Sequence, residues 1–308
     1  VAPASADILA KAANGIADDF LSTALLAAAC PVFFAPAMNA RMWENPATKR
    51  NVRTLLSDGK HILGPVTGTL ACETSGAGRM LEPETIYEAL CAATHPKILE
   101  KCRVLITAGA TAEPIDPVRV ITNRSSGKQG FAVARAFAMA GAEVTLIAGK
   151  TNEATPLGVK RIDVTSAQEM FEAVKREVSD NEVFISVAAV SDWRVKNASS
   201  HKIKKAFSGI PHIELEENPD ILAYVAKLPD APFCVGFAAE TENLIENARA
   251  KLFTKGVSLI VANLVADALE TQTTSVVFVT ADEAKPLANT TKEAVAEALA
   301  QAVSRFVN

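Results

Sequence analysis

The stretch from Arg103 to Gly149 constrains the fold most. An apolar run at residues 104–107 ends near Gly109, and a polar loop spans 110–130. An alanine-rich segment with helical spacing follows at 131–140, then a second apolar run at 143–148. This order predicts a strand, an unusually long connection, a helix and a parallel strand. Such units bind ligands outside the carboxyl ends of their strands. The 110–130 loop is therefore the first place to look for chemistry.

The pattern repeats downstream. The spacing predicts helices over 167–177 and 244–255 and one capped by Asn218-Pro219-Asp220 that runs through Ala226, with strands at 183–188, 233–237 and 259–262 between them. A weak strand is expected at 213–215, a late strand at 275–280 and a terminal amphipathic helix at 292–306. Strands alternating with helices imply a mainly parallel sheet with right-handed crossovers. Residues 1–93 read as a separate unit, with helices at 7–14, 18–29, 44–58 and after Pro83, and short strands at 32–35 and 61–63. The glycine-rich stretch 64–79 reads as a mobile loop or flap, and Thr94-His95-Pro96 as a linker. The chain starts at Val1, at the end of a strand running into Pro3, so earlier strands of this unit are expected to be missing.

At 308 residues the chain has the length of two domains. A formal charge of -4 argues against a general nucleic-acid or membrane-surface binder. The apolar runs are too short to span a membrane and no signal peptide is visible. Five scattered cysteines form no CxxC pair and no metal spacing, which suits the cytoplasm.

Several polar clusters have two readings each. Asn123 to Gly130 places hydroxyls, glycines and Lys128 before a helix; this suits a phosphate, or is a solvated loop with a helix cap. It is neither a Walker A loop nor GxGxxG. Glu113 to Arg119 packs two carboxylates and Arg119 around two prolines, as a stiff site loop or as a buried turn with an internal salt bridge. His201 to Lys205 could stabilise polyphosphate or form a solvated surface; Lys251 and Lys255, four apart on one helix face, favour the first. Gly236 to Thr241 permits close approach of a ligand, or tight strand–helix packing. Asn39 could orient a carboxylate or make an Asx turn. Cys72 is a thiol in the flap, reactive or merely packed.

Together these motifs resemble the family of bifunctional coenzyme A biosynthesis proteins. The first unit carries APASA (2–6), AKxANGIADD (10–19), PAMN (36–39) and GxLACxxxGxGRM (68–80). The second carries EPIDPVR, NRSSGKxG, AAVSDW (188–193), KIKK (202–205), NPDI (218–221) and GFAAET. The resemblance implies a Rossmann-like, mainly parallel α/β ligase domain at 96–308. Before it, at 1–95, comes the C-terminal part of a flavodoxin-like FMN-dependent decarboxylase domain. It implies a ligase that joins 4′-phosphopantothenate to cysteine, with CTP as co-substrate and Mg²⁺.

In that family's terms Asn123 holds the acyl-cytidylate for conversion, Arg119 supports the step, and Lys202 stabilises charge on the reacting phosphate. The CTP site is expected at Ser186, Val187, Ala188, Ala189, Asp192, Lys202, Pro219, Asp220, Ile221, Leu222, Phe237, Lys251 and Lys255. Pro3, Ala4, Ser5 and Ala6 would line FMN, Asn39 would bind the substrate carboxylate, and Cys72 would return a proton. The family's catalytic His lies upstream of Val1, so this chain is expected not to decarboxylate. Metal ligands are not assigned. A homodimer through the ligase domain, and a larger homo-oligomer with a complete flavin domain, are also implied.

The sequence departs from the family pattern at Glu73, usually Gly, at Ala110 and Ala112, usually Gly and Arg, and over 264–275. The competing readings are a nicotinamide-dependent Rossmann reductase, which would need GxGxxG and a TyrxxxLys pair, and a non-catalytic flavoprotein-like regulatory module.

Overall fold

In the computed structural model, residues 1–69, 75–204, 212–240, 242–264 and 273–307 are described. The chain divides into two compact units, Val1–Thr94 and His95–Asn308.

The first unit comprises α1 (Ala6–Ala13), α2 (Phe20–Ala27), β1 (Phe33–Phe34), α3 (Ala40–Glu44), α4 (Pro46–Ser57), β2 (His61–Ile62), β3 (Val66–Thr69), β4 (Ser75–Arg79) and α5 (Pro83–Thr94). Local chemistry sets most of these boundaries. Ser5 caps α1 through the Ile8 amide, and Asp19 with Ser22 forms a capping box on α2. The helix expected over 44–58 is α4, which starts at Pro46 because Asn45 adopts an extended conformation and caps it; the short α3 before it was not expected. In the expected flap, β3 pairs with β4 as an antiparallel hairpin; residues 70–74 of that stretch lie outside the described residues. Its glycines serve close approach: a Cβ on Gly78 would lie 2.2 Å from the Met38 carbonyl oxygen. Ala4, Leu9, Phe34 and Leu55 form the core of this unit.

The second unit comprises β5 (Arg103–Ala108), β6 (Ala112–Pro114), β7 (Val120–Thr122), α6 (Lys128–Met139), β8 (Glu143–Ala148), β9 (Lys160–Asp163), α7 (Ala167–Glu177), β10 (Val183–Ser186), β11 (Trp193–Val195) and β12 (Leu215–Glu217). It continues with α8 (Ile221–Ala226), β13 (Phe233–Glu240), α9 (Leu244–Lys255), β14 (Leu259–Leu264), β15 (Thr273–Val279), β16 (Ala284–Thr291) and α10 (Lys292–Val307). Eight strands form one sheet in the order β16-β15-β14-β13-β10-β5-β8-β9. The pairs from β9 to β14 are parallel, while β15 and β16 are antiparallel.

Helices cover both faces. Along β5 and β10 the side chains alternate between two cores. Val104, Ile106, Val183 and Ile185 pack with Phe131 and Phe137 of α6 and Leu299 of α10. Leu105 and Phe184 pack with Met170 of α7 and Leu252 of α9. Strands buried on both faces read as continuous apolar runs, which is why these were the easiest to foresee. The chain leaves β5 toward β8, returns through α7, and continues at β10 on the other side. The topological switch point therefore lies between β5 and β10, where ligand crevices form in open α/β sheets.

Candidate functional site

Three connections emerge at the carboxyl ends of β5, β10 and β13. Beyond β5, Ala110 makes bridges to Lys150 and to Ala189, extending the β5–β10 pairing past the sheet. The unusual Ala110 is thus a buried backbone position. The long first loop is partly ordered as the antiparallel pair β6–β7. Asn123 follows, and its Nδ2 donates to the Ala189 carbonyl at 3.2 Å. Helix α6 then starts at Lys128, three residues before its apolar segment, because Gly127 with a φ of 83° turns the chain into it. A Cβ on Gly130 would stand 2.4 Å from the Ala108 Cβ, so the first turn of α6 lies directly on the end of β5.

Two adjoining cavities occupy the crevice and share Ala188, Val190 and Phe237. The first has a volume of about 390 Å³, within the size range of small-molecule sites. Ser186, Ala188, Asp192, Pro219, Asp220, Ile221, Leu222, Phe237, Lys251 and Lys255, all anticipated for the nucleotide, line it. Ser191, Trp193, Glu217 and Asn218 line it as well and were not anticipated as site residues; their neighbours in the AAVSDW and NPDI motifs were the available signal. The second cavity, about 450 Å³, is lined by Val187 and Ala189, by the 124–130 loop, and by Asn263, Thr274 and Lys292. Those last three reach it from the end of β14, from β15 and from the start of α10. No local sequence pattern marks them.

The first cavity is charged and internally paired. Asp220 caps α8 through the Ala223 amide at 3.0 Å and forms an ion pair with Lys255. Burial pushes the Asp220 carboxyl up, but the Lys255 ammonium and the Ala223 N–H outweigh it and hold it below its ordinary value. Lys251 donates to the Phe237 carbonyl at 3.0 Å. Burial lowers its pKa against the pull of Glu240, with Lys255 lowering it further. The Asn218 side chain donates to the Ser191 carbonyl at 2.8 Å and its backbone N–H to the Asp192 carbonyl at 2.8 Å, tying the β10 and β12 exits together. Two ammonium groups and the carboxylates of Asp192, Glu217 and Asp220 line this one cavity, which suits a polyphosphate carried with a divalent cation. Among the described residues no group of three His, Cys, Asp or Glu forms a metal site of its own.

Three anticipated residues line neither cavity. Arg119 forms an ion pair with Asp116, its Nε and Nη2 both donating to Oδ2 of the fully buried carboxylate. The internal salt bridge, one of the two readings of the 113–119 loop, is thus present. Lys202 is exposed, and among the described residues makes no hydrogen bond or ion pair. Asn123 faces Ala189 from beside the second cavity.

In the first unit, the 3–6 and 36–39 segments run side by side. Ala4 bridges to Pro36, and Met38 N donates to the Gly78 carbonyl of the hairpin at 3.0 Å. Asn39 caps α3 through the Arg41 amide at 2.8 Å, so its Oδ1 makes the Asx turn. Pro3 and Ser5 are exposed, Ala6 is half-buried and Ala4 is buried. Cys72, Glu73 and Lys205 lie outside the described residues, as do residues 265–272 of the altered 264–275 segment.

Comparison with known proteins gives a consistent result. Residues 99–306 match the DNA/pantothenate metabolism flavoprotein C-terminal domain family, and residues 1–95 match the Flavoprotein family. The coenzyme A biosynthesis bifunctional protein CoaBC of Vibrio parahaemolyticus is 48% identical over 265 residues, 85% of this chain and 66% of that protein. CoaBC of Mycobacterium tuberculosis H37Rv is 48% identical over 283 residues, 87% of this chain and 68% of that protein. The chain thus spans about two thirds of the length of these relatives. The solved C-terminal domain of a CoaBC protein superposes with a TM-score of 0.59 at 39% identity, covering 68% of this chain and 98% of that domain. The chain belongs to the family of the bifunctional coenzyme A biosynthesis proteins, with a DNA/pantothenate metabolism flavoprotein C-terminal domain at residues 99–306.

Proposed function

We propose that the second unit is a CTP-dependent phosphopantothenate–cysteine ligase. The observation that carries this reading is the convergence of Lys251, Lys255, Asp192 and Asp220 in one cavity, beside a second cavity lined by the amide-rich 125–130 loop. A carboxylate oxygen of 4′-phosphopantothenate attacks the α-phosphorus of CTP. The bond to pyrophosphate breaks and an acyl-cytidylate forms. The amine of cysteine then attacks the acyl carbon, CMP leaves, and the amine loses a proton. The first step brings two anions together, so its barrier falls where cations and amide groups neutralise developing charge. Lys251 and Lys255 supply cations at the nucleotide, with Ser186, Ala188, Pro219, Ile221, Leu222 and Phe237 as walls. Lys202 adds charge at the reacting phosphate. Val187, Ala189 and Asn123 border the acyl side, and Arg119 supports them from the 113–119 turn. When bound with the nucleotide, Mg²⁺ would neutralise phosphate charge, and Asp192 and Asp220 are the carboxylates of this cavity that would hold it.

The first unit supports a share in FMN-dependent decarboxylation of the ligase product to 4′-phosphopantetheine. Exposed Pro3 and Ser5 beside the 36–39 segment suit one edge of a flat aromatic ring, so Pro3, Ala4, Ser5 and Ala6 would hold part of FMN. Bound FMN would supply the oxidation that makes loss of CO₂ easy. This chain's own contribution would be Asn39, orienting the substrate carboxylate, and Cys72 as proton donor. A cytoplasmic homodimer joined through the second unit completes the reading; light scattering at a single-chain mass would overturn the dimer.

The test is to incubate the protein with CTP, Mg²⁺, 4′-phosphopantothenate and cysteine and to follow pyrophosphate. Release that requires both CTP and 4′-phosphopantothenate is expected. No release above a blank lacking 4′-phosphopantothenate overturns the ligase reading.

A further inference from the structure

The Asp116 carboxylate is fully buried, accepts five hydrogen bonds from described residues, and lines neither cavity. It sits in the β6–β7 turn, between Pro114 and Pro117. Its Oδ1 accepts the backbone N–H groups of Val118 and Arg119, both at 2.9 Å. Its Oδ2 accepts the Arg119 Nε at 3.0 Å, a second Arg119 bond from Nη2, and the backbone N–H of Ile203 at 3.1 Å. Arg119 Nη2 also donates to the Ile203 carbonyl at 3.1 Å. Both backbone polar groups of Ile203 are thus held by one ion pair, 87 and 84 residues away in sequence. Further along the same loop, Ser199 N donates to the Ile115 carbonyl at 3.0 Å.

Lys202 and Lys204 flank the residue so held. Fixing the N–H and the C=O of Ile203 fixes the peptide planes on either side of its Cα, and with them the directions in which the neighbouring side chains leave the backbone. Lys202 itself makes no bond among the described residues, so the backbone clamp is what positions it.

We propose that Asp116, acting through Arg119 and Ile203, is a positioning residue for Lys202 in the ligase reaction. The inference rests on the reading above that Lys202 meets the nucleotide. It also defines what Arg119 does. Two of its nitrogens already hold protein groups, so it serves the reaction by shaping the loop. An amide at position 116 would keep the shape, but its NH2 must face either Arg119 and the Ile203 N–H or the turn's own N–H groups of Val118 and Arg119, so one set of donors loses its acceptor and the clamp loosens. A lysine at position 119 would keep the charge, but its point ammonium does not reproduce the planar fork that spans Asp116 and the Ile203 carbonyl.

Two measurements on the full chain test this. First, CTP-dependent pyrophosphate release is measured for the unaltered protein, Asp116→Asn, Lys202→Ala and the double variant. The expected result is a fall of about 10- to 100-fold in kcat/KM for CTP in Asp116→Asn, with little further loss on adding it to Lys202→Ala, because coupled residues are not additive. Losses that multiply, or a Lys202→Ala variant as active as the unaltered protein, overturn the inference. Second, limited trypsin digestion followed by mass spectrometry reads the bond after Lys202 without any substrate. Cleavage there should be about tenfold faster in Asp116→Asn and in Arg119→Lys at unchanged melting temperature, because loosely held backbone is cut preferentially. If neither folded variant is cut faster, the clamp is refuted. If the unaltered protein releases no pyrophosphate at all, the ligase reading has failed separately, and the cleavage rates still decide the clamp. Should Asp116→Asn fail to fold, Arg119→Lys takes its place in both assays.

Discussion

Asn123 and Lys251 show how single groups set the character of the crevice. The Asn123 amide satisfies the Ala189 carbonyl at the end of β10. In Asn123→Asp a carboxylate oxygen would face that carbonyl instead, so this bond is lost while the Thr111 N–H still reaches the same carbonyl. The wall between the cavities should shift while the lysine end stays intact. Acyl-cytidylate should then accumulate, with amide formation slowed by about tenfold or more; chromatography of labelled CTP products reads both, and a normal amide yield removes Asn123 from the role. Lys251 predicts a pH effect. Its pKa is depressed chiefly by burial, so its protonated fraction falls at a lower pH than for an ordinary lysine. Triphosphate favours the charged form. CTP affinity should therefore decline with rising pH sooner than an ordinary lysine would make it, and binding should draw in protons. Calorimetry in two buffers of different ionisation enthalpy measures that uptake, which should shrink in Lys251→Met.

At the scale of elements, the packing of α6 on β5 connects fold to site. Gly130→Ala would gain up to about 1 kcal/mol of helix propensity. The new Cβ, however, meets the Ala108 Cβ at 2.4 Å, and overpacking of that kind costs about 1–3 kcal/mol. The clash should win: a net loss of up to about 2 kcal/mol by urea denaturation, with weaker substrate binding as the 124–127 loop is pushed outward. A variant more stable than its parent would show that α6 shifts freely. The same elements show what the sequence made legible. Strands β5, β8, β10 and β14 announce themselves because both faces are covered. By contrast β6, β7 and β11 are three residues long and lie outside the main sheet. β9 and β16 are largely polar edge strands, and in β16 no residue is fully buried. Polar edges and short hairpins carry the same residues as loops, so no periodicity separates them. The site divides similarly. The motif residues on the β10 and β13 exits fell together in one cavity. Asn263, Thr274 and Lys292 enter the crevice through tertiary packing, and the Asp116–Ile203 bond joins segments whose pairing no local pattern encodes.

For the whole molecule, what matters is which parts depend on each other. The second unit has its own two cores, one on each sheet face, and every residue lining the two crevice cavities lies within 95–308. The clamp on Lys202 is also internal to it. The solved CoaBC C-terminal domain, matched over 98% of its length, is a domain of the same extent. A protein consisting of residues 95–308 should therefore fold cooperatively and keep CTP-dependent amide formation, with kcat/KM for CTP within about threefold of the longer chain, since distant groups without shared partners act nearly independently. Any FMN binding by the longer chain should be lost entirely, because residues 3–6 and 36–39 are gone. Parallel assays of pyrophosphate release and of flavin absorbance on both proteins check the two halves of this expectation. A fall of more than about tenfold in ligase activity with the fold intact would mean that residues 1–94 act on the crevice, and the ligase site would then have to be described as belonging to both units.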